Sequence, residues 1–180
     1  MKLLVILFVS VLGMTDVKAQ VLYTPGDTVK GKNMNYCCIK QTKFTTKVKN
    51  TRNVHPFEKM YFDNGEVVPP RWGFGVSYNF EFKEFVQVFK DALTAEELNQ
   101  LKGKRGIFQV NVIADKAGNA IELEFIFFTD DPVLSKLDPD RLFQLETKLK
   151  KLLKLKLSDD DRKIKNIKYI VAVSYRRDLK

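Results

Sequence analysis

Between residues 106 and 175 the apolar residues recur at every second position, then every third or fourth, then every second again, which predicts strand, strand, helix, strand. Phe108, Val110, Val112 and Ala114 alternate with Gln109, Asn111 and Ile113. Beyond Asp115-Lys116-Ala117-Gly118, a second run alternates Ile121, Leu123, Phe125 and Phe127 with Glu122 and Glu124. These two runs are expected to pair antiparallel, with Gly118 supplying the special dihedral of a longer hairpin loop. Asp138 then reads as a helix N-cap, and Pro139 takes the first helical position, where its missing N–H costs nothing. At about 100° per residue, Leu142, Leu145, Leu149, Leu152 and Leu153 fall on one stripe and Lys148, Lys150, Lys151 and Lys154 on the opposite side. The helix is expected to end near Leu155, because Lys156 would fall inside the stripe. Glu146 stands four residues before Lys150, a helical ion pair worth only a few tenths of a kcal/mol. Asp159-Asp160-Asp161 makes a polar turn, and Tyr169, Val171, Val173 and Tyr175 mark one side of a third strand.

Upstream, residues 29–50 are rich in Thr, Val, Tyr and Lys, with Phe44, Thr46 and Val48 alternating, which suits half-exposed strands. Asn64-Gly65 offers the positive φ angles of a two-residue hairpin turn within residues 61–68, and Pro69-Pro70 must end that hairpin. A helix is expected over 84–93, with Phe85, Val88, Phe89 and Ala92 at helical spacing. Thr94-Ala95-Glu96-Glu97 follows as a capping box, so a second helix should start at Ala95 and close at Gly103. The chain is therefore expected to be α+β with a mostly antiparallel sheet. Residues 20–93 form a β-rich N-terminal part and 94–180 a strand-strand-helix-strand unit.

Residues 106–175 resemble the TonB C-terminal domain, on the hairpin turn Asp115-Lys116-Ala117-Gly118, the helix opening Leu137-Asp138 and the final strand. The longer stretch after residue 19 is similar to a group of uncharacterised small secreted proteins of Bacteroides-type bacteria. That likeness is carried by residues 61–65, Val88-Phe89-Lys90, Thr94-Ala95-Glu96-Glu97-Leu98, Leu101-Lys102, residues 115–118 and residues 145–150. It implies an architecture and a compartment, and it brings no catalytic residues.

Residues 3–12 are apolar except Ser10, follow Lys2, and lead to Val17-Lys18-Ala19, the layout of a secretory signal peptide cleaved near Ala19. The protein is accordingly expected to be secreted or periplasmic. With 180 residues, 44% of them hydrophobic, the chain can build a true core, which excludes a disulfide-stapled miniprotein. No second long apolar stretch follows, which excludes a polytopic membrane protein. Cys37 and Cys38 are neighbours and point to opposite faces of a strand, so they cannot staple distant segments. One buried thiol and one partly exposed thiol are expected, with a redox switch or an intermolecular bridge as the alternatives.

The inventory for catalysis is thin. His55 is the only histidine, precedes Pro56 in a polar stretch, and reads as a solvated loop residue. No nucleophile-elbow, zinc-helix or P-loop pattern occurs, and Gly73-Phe74-Gly75 lacks the third glycine and strand-to-helix context of a phosphate loop. Contiguous carboxylates at 159–161, and those of Thr129-Asp130-Asp131, cannot all face one ion, so neither metal nor other cofactor is expected. The formal charge of +9 favours acidic partners; secretion argues against nucleic acid. Two candidate surfaces remain: the aromatic stretch Trp72, Phe74, Tyr78, Phe80 and Phe82, whose last three members alternate as on one strand face, and the lysines 148, 150, 151 and 154. The leading expectation is a non-enzymatic binding protein for an envelope protein or glycan. A basic binder of anionic lipid or polysaccharide is the alternative, and a hydrolase using isolated carboxylates stands third.

Overall fold

The computed structural model describes residues 21–57, 59–69 and 77–180. Residues 1–19, expected to be a signal peptide, and Trp72 and Phe74 of the candidate aromatic surface lie outside them. In chain order the elements are β1 (Thr28–Lys30), β2 (Asn35–Gln41), β3 (Thr45–Asn50), β4 (Ser77–Tyr78), α1 (Phe82–Lys90), α2 (Ala95–Leu101), β5 (Ile107–Ala114), β6 (Ala120–Phe128), α3 (Pro139–Leu152), β7 (Leu155–Lys156), β8 (Ile167–Ser174) and α4 (Tyr175–Asp178). Six strands form one sheet in the order β1-β2-β3-β6-β5-β8, every neighbouring pair antiparallel, while β4 and β7 pair separately. The architecture is thus α+β and mostly antiparallel. The three C-terminal strands expected from periodicity occupy one half of a sheet that β3, β2 and β1 continue.

One face of this sheet is apolar because the period-2 pattern puts Val48, Phe125, Phe108, Val110, Val112, Val171 and Val173 on the same side, all buried. Two helices cover it. α1 buries Phe85, Val86 and Phe89, and the Phe89 ring stacks on Phe108 at 4.7 Å, which stacks in turn on Phe125 at 5.7 Å. α3 lays Leu142, Leu145 and Leu149 on the core, and Asp138 caps it by accepting from the Asp140 N–H at 2.8 Å. Each such leucine contributes about 1.5–3 kcal/mol by leaving water. α2 is tied to α3 by Arg141, whose guanidinium donates to both Glu97 oxygens at 2.8 and 2.6 Å and to the Ala92 carbonyl at 2.8 Å. Those bonds hold the Glu97 carboxyl down at about 2.

Several local expectations are corrected. α3 ends at Leu152, short of Leu155, because the backbone beyond it is taken by the β5–β6 hairpin: Leu153 O accepts from the Ala120 N–H at 3.2 Å, and the Leu155 N–H donates to Gly118 O at 2.8 Å. Gly118 has φ +83°, and a Cβ there would lie 2.2 Å from Leu155 O, so glycine is needed for the close approach as well as the turn. The register jumps from Ile113↔Glu122 to Ala114↔Ala120, which makes Ile121 a bulge residue. Ala120 therefore takes the core-face place expected of Ile121, which is half-buried. At Asn64-Gly65 only Gly65 has positive φ, and the Phe62 N–H reaches Glu66 O at 2.9 Å, so the loop holds three residues and not two. Lastly, Glu146 is buried. Its carboxylate accepts from the Tyr36 hydroxyl, from Asn50 Nδ2 at 3.2 Å and from Lys150 Nζ at 2.6 Å, knitting α3 to β2 and β3. Burial, then the neighbouring carboxylate, pushes the Tyr36 hydroxyl far up.

Candidate functional site

The aromatic stretch does not form one strand face. Tyr78 ends the two-residue β4, Phe80 follows a backbone bend where the Asn79 N–H binds Lys154 O at 2.9 Å, and Phe82 is the first residue of α1. The helix begins this early because the Glu84 carboxylate accepts from the Glu81 N–H at 2.9 Å, closing the N-terminus two residues before the expected start. Tyr78 remains 52% exposed and Phe82 43%, while Phe80 packs on the core edge with its ring 5.1 Å from Tyr78. The lysines do not form one surface either. Lys150 is spent on Glu146, Lys154 lies past the helix and bridges to Asn119, and Lys148 and Lys151 stay exposed on α3.

A cleft of about 580 Å³ lies at one end of the sheet, where β3 and β5 begin and β6 and β8 end. Its floor is Leu101, Phe128, Pro132 and the Tyr175 ring. Lys43 and Phe44 rise on one side, and Lys104 and Arg105 on the other. The backbone of both walls is held by turns in the local sequence and by bonds to distant residues. Thr42 Oγ1 accepts from the N–H groups of Phe44 and Thr45 at 3.2 and 2.9 Å, and Phe44 O accepts from the Thr129 N–H at 3.0 Å. The backbone at Phe44 is consequently held in place, while its ring is 68% exposed. Across the cleft Gly103 turns the chain with φ +68°, and Gly106 presses flat on Tyr175, where a Cβ would lie 2.4 Å from the ring. The Tyr175 N–H returns to Gly106 O at 3.1 Å. At the floor, Asp131 is buried and accepts from the Val133 and Leu134 N–H groups and from the Tyr175 hydroxyl at 3.0, 2.7 and 2.6 Å. Burial and that carboxylate push the Tyr175 hydroxyl far up, so it stays a proton donor.

His55 is not a free loop residue. Its Nδ1 lies 2.6 Å from Glu122 Oε1, and the buried Glu122 also accepts from the Val54 and His55 N–H groups at 3.0 Å each. Glu122 thus pins the 53–56 loop over the sheet face that the helices leave bare. Nearby, Glu124 is buried with Asn111 Nδ2 at 3.1 Å and Lys47 Nζ at 3.4 Å. Cys37 is half-buried and Cys38 buried, on opposite faces of β2, and both are free thiols. Among the described residues no cluster of three or more His, Cys, Asp or Glu could hold a metal, and no helix is long and apolar enough to cross a membrane.

The sheet has two edge strands, the three-residue β1 and the eight-residue β8, of which β8 is the longer. Its Lys168 N–H turns outward to Met60 Sδ at 3.4 Å and its Ser174 N–H to Asp178 Oδ2 at 2.8 Å. Strand geometry then turns the N–H and C=O of Ile170 and Ala172 outward too. Neither N–H meets an acceptor among the described residues, and the Ile170 side chain is 51% exposed. Sequence periodicity marked β8 but was silent on which side of the sheet would be left unpaired. Lys104 and Arg105 were likewise unmarked, although their position between Gly103 and Gly106 is a readable sign of a tightly held loop.

No family model matches the chain, and no curated protein matches it. Among solved structures it is similar to a DUF5043 family protein from Bacteroides uniformis, with a TM-score of 0.71 and 20% identity, covering 87% of this chain and 95% of that one. At that identity the likeness establishes a shared fold over most of the chain.

Proposed function

We propose that this chain is a secreted or periplasmic, non-enzymatic binding protein of the cell envelope, which takes an extended segment of a partner protein onto the edge of β8. The observation that carries the reading is the outward pair of Ile170 and Ala172, whose four backbone groups can each make a ladder hydrogen bond with an added strand. The two ends of the edge are already occupied by Met60 and Asp178, so the open window suits a short segment and blunts open-ended aggregation. The committed state of the buried acids supports a non-enzymatic role: Glu122, Glu124, Asp131 and Glu146 are all held by several donors. Membership of the Bacteroides-type secreted group is supported by the shared fold, and the TonB C-terminal-like reading by the succession β5, β6, α3, β8. The compartment rests on the signal pattern of residues 1–19.

The test is capture from envelope fractions by the intact protein and by Ala172→Pro. Proline deletes an outward N–H and leaves the β5 ladder intact, since that donor faces away from β5. Capture of a saturable partner by the parent protein and its loss with the variant are expected; equal capture by both would refute the edge as the site. The alternative, binding of anionic lipid or polysaccharide, is favoured by the exposed Lys148 and Lys151 and predicts affinity that falls steeply with salt.

A further inference from the structure

The cleft at the end of the sheet combines three features that pocket geometry alone does not require. The backbone of its walls is pre-formed: Phe44 is held by the Thr42 and Thr129 bonds, and Lys104-Arg105 by Gly103, by the Gly106 contact with Tyr175 and, through α2, by the Arg141–Glu97 clamp. The Phe44 ring stands 68% exposed beside the apolar floor, so a ligand body lying there would take both out of water together. Three cations, Lys43, Lys104 and Arg105, stand around this apolar floor without an ion pair among the described residues; Lys43 Nζ only overlies the Phe44 ring, 5.8 Å from its centroid. The acids facing them are Asp130, exposed at the rim, and Asp131, which is buried and turned to its own donors. Positive charge therefore exceeds the negative charge available to meet it at the mouth.

From this we infer that the cleft binds a small soluble acidic amphiphile, an apolar body ending in a carboxylate, with the body on Phe44, Phe128 and the Tyr175 ring and the head between Lys104, Arg105 and Lys43. A volume of about 580 Å³ matches the few hundred to about a thousand Å³ of cavities that enclose one small molecule. Arg105 can take a carboxylate through two parallel N–H bonds, and the lysines add unshared charge. This site lies at the loop end of the sheet, apart from the Ile170–Ala172 window, and does not depend on the strand-edge reading.

The experiment uses the intact protein and sodium decanoate below its micelle concentration, followed by calorimetry. Saturable one-to-one binding is expected, with acetate, which lacks the body, and decyltrimethylammonium, which inverts the head, both failing to compete. The double variant K104Q/R105Q removes the paired Arg105 N–H bonds and the Lys104 charge and should weaken decanoate at least about tenfold, the worth of a single charge-assisted hydrogen bond. Phe44→Ala should weaken it about tenfold through lost apolar burial. Both changes fall on exposed residues, so unchanged thermal midpoints verify the fold. K148Q/K151Q removes the same charge elsewhere and should leave the affinity within twofold. An equal loss with K148Q/K151Q, equal binding of acetate, or attachment only to phosphatidylglycerol vesicles with no saturation by monomeric decanoate would each overturn the inference. Ala172→Pro should bind decanoate normally, which separates a failure here from a failure of the strand-edge reading.

Discussion

The two faces of the six-stranded sheet bury acids in different company. Beneath α1 and α3, Glu146 sits among leucines and aromatic rings with Tyr36, Asn50 and Lys150 as its donors. On the opposite face, Glu122 and Glu124 are buried under a loop and among side chains such as Lys47, Asn111 and His55, while Ile39 and Ile170 remain exposed. On the helix-covered face the Tyr36 and Asn50 donors are shielded from water, and only Lys150 reaches the surface. On the other face the groups that Glu122 binds belong to a loop at the surface, with Val54 77% exposed, so water can replace a lost partner there.

The largest expected effect that tests this contrast is Leu145→Ala, which empties the centre of the α3 stripe and should cost about 3 kcal/mol in chemical denaturation. Glu146→Ala should cost about 2 kcal/mol, since the Tyr36 hydroxyl and the Asn50 amide lose their acceptor out of reach of water. The matching change on the other face, Glu122→Ala, should cost only about 1 kcal/mol globally, because the Val54 and His55 N–H groups can turn to solvent. Its signature is local: hydrogen exchange at Val54 and His55 should accelerate while the core strands keep their protection. Equal losses at Glu146 and Glu122, with no local change in exchange, would break the distinction between the faces.

Legibility in the sequence followed the range of the interactions. The caps at Asp138 and Thr94, the left-handed Gly118 and the alternation in β5, β6 and β8 depend on residues a few positions apart, and each was readable. Phe82 and Ile121 were misplaced because a purely alternating pattern cannot reveal a competing helix cap or a bulge. The candidate site was harder still. Tyr78, Phe80 and Phe82 looked like a single patch, whereas the cleft draws Lys43 and Phe44 from one turn and Lys104 and Arg105 from a loop some sixty positions later.

Sequence by itself determined the types of the longer elements β5, β6, α3 and β8, the apolar side of α3 and the α+β class, since these follow from periods of two and 3.6 and from short-range capping chemistry. Tertiary structure alone decided that Glu146 would be buried, that His55 would be held by Glu122, where α3 would stop, and which backbone groups of β8 would face outward. The physical reason is that each of these depends on an acceptor or a donor brought from a distant part of the chain. A hydrogen bond between residues 110 positions apart, such as that of Tyr36 and Glu146, leaves no trace in any local pattern.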